Sequence, residues 1–415
     1  MKKVALLFVL SVAWAACALA QKQVYMPDTL KRHDFSCDTS LYSWRHSAQT
    51  QNLIILWERG YGDNPYDAPA LEGQPMSFDL GNLMVRLEGF YRFYRDTLRF
   101  IRPGSIADRF KMMVMLPYSL EGTAYGGTYD DFIGALWVTP GRIQDQRLNC
   151  LAHELGHSFQ LQVLADKEGL PWDNGGFYEM TSQWMLWLVN PAWVSDENYH
   201  LQAFQKLTHR GFLHWDNAYH SPYVLQWWAE KRGLACIGDL YREAQKADDP
   251  VMTYKRKYGL SQQLFNDEMF DCYRHLVNFD FAHARKETRP YACTFGTPMQ
   301  GRDGEWQSPD TAHVPENYGF NAIRLATPAP GAVVRADFRS EAKAGDAGFR
   351  YGFVAVSDDD VCLYGEVGAK TSGQARMYVP DGVKLKALYF VVMGAPAVHS
   401  ADPSLRKFPY RVKFH

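Results

Sequence analysis

One pentapeptide, His153-Glu154-Leu155-Gly156-His157, constrains this chain more than any other stretch. On a helix, histidines at this spacing lie on one face and can reach a single ion. The glutamate beside the first of them can then face the remaining coordination position. Leu148, Leu151, Ala152, Leu155, Phe159 and Leu161 give the surrounding segment, about 146–164, an apolar face. Polar groups on a helix that turns inward need partners there. Two imidazole donors, an open position and a nearby carboxylate are what one catalytic Zn2+ ion requires. The spacing therefore predicts a buried metal helix rather than a surface helix with two ordinary histidines.

The chain has 415 residues, enough for two cores, and 14% of them are aromatic, as in a folded globular protein. A formal net charge of -2 leaves no basic surface of the kind nucleic acid needs, so that partner is set aside. Lys2 and Lys3, the apolar run Val4 to Ala16 and the small-x-small site Ala18-Leu19-Ala20 before Gln21 form a secretory signal. Export to the periplasm or the medium is expected. Lipid anchoring through Cys17 is the less favoured route, because Trp14 stands where an aliphatic residue is usual. No later stretch is long and apolar enough to span a bilayer. The remaining cysteines, Cys37, Cys150, Cys236, Cys272, Cys293 and Cys362, contain no C-x-x-C pair, so buried free thiols are expected.

The expected order is a strand at Asn52–Glu58, a loop over 59–79 and a long helix from Gly81 to Ile101. Strands at Phe110–Leu116 and Ile133–Thr139 follow, separated by a Gly/Tyr/Asp loop over 121–131. After the metal helix the chain reads as helical to about 280, with segments at Phe177–Leu188, from Ser221-Pro222 onward, and at Gln262–Val277. From Asn321 the pattern changes to seven short strands with turn signals. The expected fold class is α+β: a signal peptide (1–20), a catalytic domain (21–285), a linker (286–320) and a small all-β sandwich (321–415). Nothing in the last part marks a ligand site.

A catalytic zinc ion takes a third protein ligand. Glu179 is the candidate, a lone carboxylate on a helix otherwise made of Phe, Met, Trp and Leu. Asp166, Glu168 and Asp173 read instead as solvated loop residues. Glu154 is the general base. The oxyanion donor is sought in Asp216-Asn-Ala-Tyr219-His220-Ser-Pro-Tyr223, where either tyrosine could serve as well as the histidine.

With His153, Glu154, His157 and Glu179, the chain resembles the gluzincins, zinc metallopeptidases with H-E-x-x-H and a downstream helical glutamate, over roughly residues 50–285. It is also similar to an uncharacterised family of secreted proteins from gut-type Bacteroidetes. That likeness rests on the stretches EGTAYGG, LNCLAHELGHSFQ, FYEMTSQWMLW and YHSPYVL. In motif spacing it resembles the enhancin-like peptidases, some of which cut mucin-type glycoproteins. The resemblance implies one Zn2+, a zincin-like catalytic domain, and a peptide, protein or glycoprotein substrate. It implies that Gln183 stands where thermolysin-like enzymes place an aspartate that orients a ligand histidine. It also implies His220 as oxyanion donor, oriented by Asp216. Further, the strand before the metal helix, here Gly134, Ala135, Leu136 and Trp137, should be the cleft edge to which an extended substrate adds. Two other readings stay open: a zinc amidase or glycopeptide hydrolase, and a non-catalytic protein- or glycan-binding module on the same scaffold.

Overall fold

Leu53-Ile-Ile-Leu-Trp57 is buried at every position, and Phe110–Leu116 at all but its first. Such continuous apolar runs suit parallel strands covered on both faces. In the computed structural model, which describes residues 21–342, 348–399 and 406–415, they are neighbours at the centre of a mixed sheet. The expected signal segment and Cys17 lie outside the described residues. The strands are β1 (Gln23–Val24), β2 (Ser47–Gln49), β3 (Leu53–Trp57), β4 (Phe110–Leu116), β5 (Ala124–Tyr129) and β6 (Ile133–Val138). Their order is β2-β3-β4-β6-β5, with β1 added to β4. β3, β4 and β6 are parallel, and β5 runs antiparallel to β6.

Two expectations fail here. Residues 124–129, read as loop, form β5. Strand β6 is not an edge, because it is paired on both sides, to β4 and to β5. Gly134, Ala135 and Leu136 are buried and Trp137 lies beneath the ring of Tyr125, stacked at 4.7 Å. These four residues therefore do not offer the free strand edge expected of them, and the edge of the sheet on this side is β5.

Helix α1 (Leu80–Arg92) buries Leu83, Leu87 and Phe90, the expected stripe. It does not run to Ile101. It widens into a π turn at Phe93–Thr97 and leaves the helix at Leu98. The wider turn carries Tyr94, whose hydroxyl donates to Ala152 O at 2.9 Å and so ties this element to the metal helix. A short α2 (Ile106–Arg109) leads into β4. After β6 come α3 (Asn149–Ala165), the metal helix, and α4 (Gly175–Val189), then α5 (Trp193–Asp196), α6 (Tyr199–Lys206), α7 (Tyr223–Arg232), α8 (Cys236–Glu243), α9 (Pro250–Tyr258), α10 (Gln262–Leu276) and α11 (Arg285–Thr288). Ser221 does not cap α7; its hydroxyl donates back to Asn217 O. None of the helices among the described residues is long and apolar enough to cross a membrane.

A small pair, β7 (Met299–Gln300) and β8 (Ser308–Pro309), precedes the strands expected after Asn321. These are β9 (Phe320–Leu325), β10 (Val333–Ser340), β11 (Phe349–Ser357), β12 (Cys362–Tyr364), β13 (Ser372–Tyr378), β14 (Leu385–Gly394) and β15 (Tyr410–Phe414). They form two sheets, β13-β10-β15 and β12-β11-β14-β9. Phe338, Phe353, Phe390, Tyr410 and Val412 form a core between them. The other face of the four-stranded sheet, with Val354, Val356, Tyr389 and Val391, joins the main core. β11 is accordingly buried at every position. The six cysteines among the described residues are free, with Cys236 and Cys272 buried and the other four partly so.

Candidate metal centre

Two glycines let the site form. At Gly126 on β5 a Cβ would lie 1.8 Å from the carbonyl oxygen of Glu154, so only glycine allows the strand to lie against α3 there. At Gly156, inside the pentapeptide, a Cβ would lie 2.8 Å from Ser182 Oγ. Its absence brings α4, and with it Glu179, close to the two histidines.

His153 Nε2, His157 Nε2 and Glu179 Oε2 form a triangle with every side 3.1 Å. The protons of the imidazoles follow from their other partners. Gln160 uses its amide NH2 to donate to Tyr178 O and Ser182 Oγ, so its carbonyl oxygen faces His157 Nδ1, at 3.3 Å. Gln183 donates its NH2 to Tyr219 O, so its carbonyl oxygen faces His153 Nδ1, at 3.2 Å. Both imidazoles therefore hold their proton on Nδ1 and aim the Nε2 lone pair at the carboxylate. Three acceptors converge on one point. Ligands about 2.0–2.1 Å from a tetrahedral zinc ion stand about 3.3 Å apart, so the triangle fits that ion. Among the described residues this is the one such group of His, Cys, Asp and Glu.

The electrostatics agree. A proton on an imidazole Nε2 can take the same central point, and against burial, which raises it, the histidine contacts then hold the Glu179 carboxyl well below its usual range. Burial lowers the proton affinity of His157, but Glu179 outweighs it and the net shift is upward. A field that draws a proton to this point draws a dication more strongly. Glu154 is half-buried beside the triangle, and burial holds its carboxyl above the ordinary value. One of its oxygens accepts from Gly126 N–H at 2.8 Å.

The site opens into a cleft of about 480 Å3 lined by β5 (Ala124, Tyr125, Gly126), the candidate ligands His153, His157 and Glu179, Glu154, Tyr178, Trp215 and Tyr219. Tyr219 is the oxyanion candidate that reaches it. Its phenol is held protonated, by burial first and then by the charge of the Glu179 carboxylate. Its ring lies 5.9 Å from that of His153.

The other two candidates do not reach the cleft. Tyr223 is fully buried among Trp187, Phe204 and Phe279. His220 turns away, its Nδ1 2.8 Å from His200 Nδ1. Burial lowers its pKa to about 4, and His200 adds to the shift. Asp216 does not hold it, being drawn to Arg210 at 3.6 Å and His214 at 3.7 Å. Asp166 is not solvated as expected but accepts from Ile106 N.

Sequence reasoning passed over Gly126, Gln160 and Trp215. Gln160 was findable, because it follows His157 at the i+3 spacing that sets a side chain beside that ring.

The profile described as "Family of unknown function (DUF6055)" matches residues 16–415. No curated protein matches the chain. Among solved structures, it is similar to the catalytic module of the metalloprotease ZmpA from Clostridium perfringens, covering 85% of this chain and 68% of that one at 10% identity and a TM-score of 0.31. The M60 catalytic domain of ZmpC from the same organism, in complex with the sialyl T antigen, gives 84%, 69%, 13% and 0.29. The ZmpB metallopeptidase, also from that organism, gives 91%, 67%, 12% and 0.29.

Proposed function

The chain belongs to the DUF6055 family, and we propose that it is an exported zinc-dependent hydrolase of amide bonds, a metallopeptidase acting on extended peptide or glycoprotein chains. The observation that carries this reading is the 3.1 Å triangle of His153 Nε2, His157 Nε2 and Glu179 Oε2, in which three acceptors face one another. That geometry needs a proton or a metal cation between the three atoms, and its dimensions fit a zinc ligand set.

A zinc ion bound there supplies polarisation of water and of the scissile carbonyl. The chain's own residues do the rest. Glu154 takes the proton of the attacking water and returns it to the leaving nitrogen. A carboxyl raised by burial suits both halves of that cycle. Gly126 N–H holds one of its oxygens and leaves the other for the proton transfer. Tyr219 donates its phenolic proton to the carbonyl oxygen as negative charge builds there. The outer edge of β5 offers main-chain groups to an extended substrate. Trp215, 63% exposed at the rim, adds an apolar wall that a side chain or a sugar ring could cover.

The test is elemental analysis of the purified chain beside Glu179→Ala and Glu154→Gln, together with a peptide and glycopeptide cleavage screen. The expected result is about one zinc per wild-type chain, retained in Glu154→Gln and lost in Glu179→Ala, with cleavage abolished in both. A wild type that takes up no zinc after supplementation ends the reading.

A further inference from the structure

Gln183 is buried, 3% exposed, one turn of α4 beyond Glu179. Where a carboxylate would orient a ligand histidine with more charge, this position carries an amide. The reason lies on its other side. Its carbonyl oxygen faces His153 Nδ1 at 3.2 Å. Its NH2 group donates to Tyr219 O at 3.1 Å and lies 3.2 Å from His200 Nε2. Glu197 Oε2 is the next neighbour of that His200 nitrogen, at 3.5 Å. His200 in turn meets His220 through Nδ1 at 2.8 Å. A carboxylate has no hydrogen to donate, and its oxygens would repel the Tyr219 carbonyl. An amide can serve both sides at once.

We infer that Gln183 is a two-sided positioning residue: its oxygen orients the ligand His153, and its NH2 group fixes the main chain of Tyr219, so that metal ligand and oxyanion donor are set by one side chain. The inference rests on the zinc-hydrolase reading and deepens it. The Tyr219 loop is held to α6 and the segment after it by His220, 2.8 Å from His200 Nδ1, and by Asn217, whose NH2 donates to Leu207 O and Gly211 O. His220 N and Ser221 N bond to Asn217 O, within the loop itself. Trp215 packs over Gly175 at the start of α4. The link from Gln183 to the Tyr219 carbonyl is the hydrogen bond that ties this loop to α4, the helix that carries Glu179.

The test uses the full chain with two metals and a small probe. Zinc affinity is measured by chelator competition. Acetohydroxamate affinity is read from the visible spectrum of the cobalt-substituted protein, since a bound hydroxamate oxygen accepts from the Tyr219 phenol. Thermal melting accompanies every variant.

Tyr219→Phe should keep zinc and bind acetohydroxamate about tenfold more weakly, the loss of one hydrogen bond. Gln183→Glu should keep zinc as tightly as wild type or more so, because its carboxylate is a stronger acceptor for His153. It should nevertheless lose the same factor in acetohydroxamate affinity. The double variant should be no weaker than Gln183→Glu alone. Gln183→Met, which has neither end, should also lose about tenfold in zinc affinity.

Unchanged acetohydroxamate binding in Gln183→Glu, or losses that multiply in the double variant, would overturn the inference while leaving the hydrolase reading intact. A wild type without zinc would remove both. If Tyr219→Phe has no effect, only the tyrosine's role, and with it the coupling, is lost.

Discussion

Tyr219 and Tyr223 are close neighbours in the chain with opposite surroundings. The first lines the cleft beside Glu179; the second is sealed in the core with its hydroxyl unpartnered. Two outcomes follow for the same chemical change. Tyr219→Phe should lower kcat on a cleaved peptide by about a hundredfold, as for one lost oxyanion donor. Zinc content and melting temperature should stay put. Tyr223→Phe removes a buried polar atom that no partner satisfies, so kcat should not move and the protein should gain up to about 1 kcal/mol in a denaturant titration. The reverse pattern would put the donor at Tyr223. His153, Glu154 and His157 were legible because helical spacing alone puts them on one face. Glu179 was legible as a carboxylate stranded on an apolar helix. The choice among Tyr219, His220 and Tyr223 was not legible. A turn of irregular backbone decides which side chain points where, and no periodicity reports on it.

At the scale of elements, β5 shows why sequence and structure part company. Ala-Tyr-Gly-Gly-Thr-Tyr has paired glycines and little β-branching, so local propensity favours a loop. Tertiary contact overrides it, because a residue with a Cβ at 126 would collide with Glu154 O. The feature that hides the strand is thus the one that lets it serve as the edge of the cleft. Strand order was hidden for a related reason: β6 precedes the metal helix in sequence but sits inside the sheet. Gly126→Ala should separate β5 from α3, costing about 3 kcal/mol. It should also weaken zinc binding, although residue 126 is no ligand. Chelator competition on the folded fraction checks this, and an affinity equal to wild type would argue that the strand and helix are not coupled. The α1 stripe was read correctly but its length was not, since a π turn keeps residues on the buried side without continuing the α-helical hydrogen bonds.

For the molecule as a whole, part of the acid sensitivity should come from a buried histidine remote from the candidate metal centre. His209 is 7% exposed and its pKa is lowered to about 4, by burial first and then by His313, Arg210, Lys407 and His214. Unfolded, it takes up a proton near its ordinary value of 6.5. The unfolded state therefore binds more protons between those limits. The stability it contributes is fully present above about pH 6.5 and declines as pH falls toward 4, by on the order of 2 kcal/mol. Melting temperature should fall across that window in wild type and less steeply in His209→Gln; equal slopes would place the acid sensitivity elsewhere. His209 also accepts Glu316 N–H on its carbonyl, where the helical part meets the chain leading to β9.

The sheet β12-β11-β14-β9 has one face in each core. Its residues answer to two sets of neighbours, and a change on either side must be tolerated by the other. A lineage could not swap this C-terminal part for another by recombination, as bead-like modules are swapped, without stripping the helices of their cover.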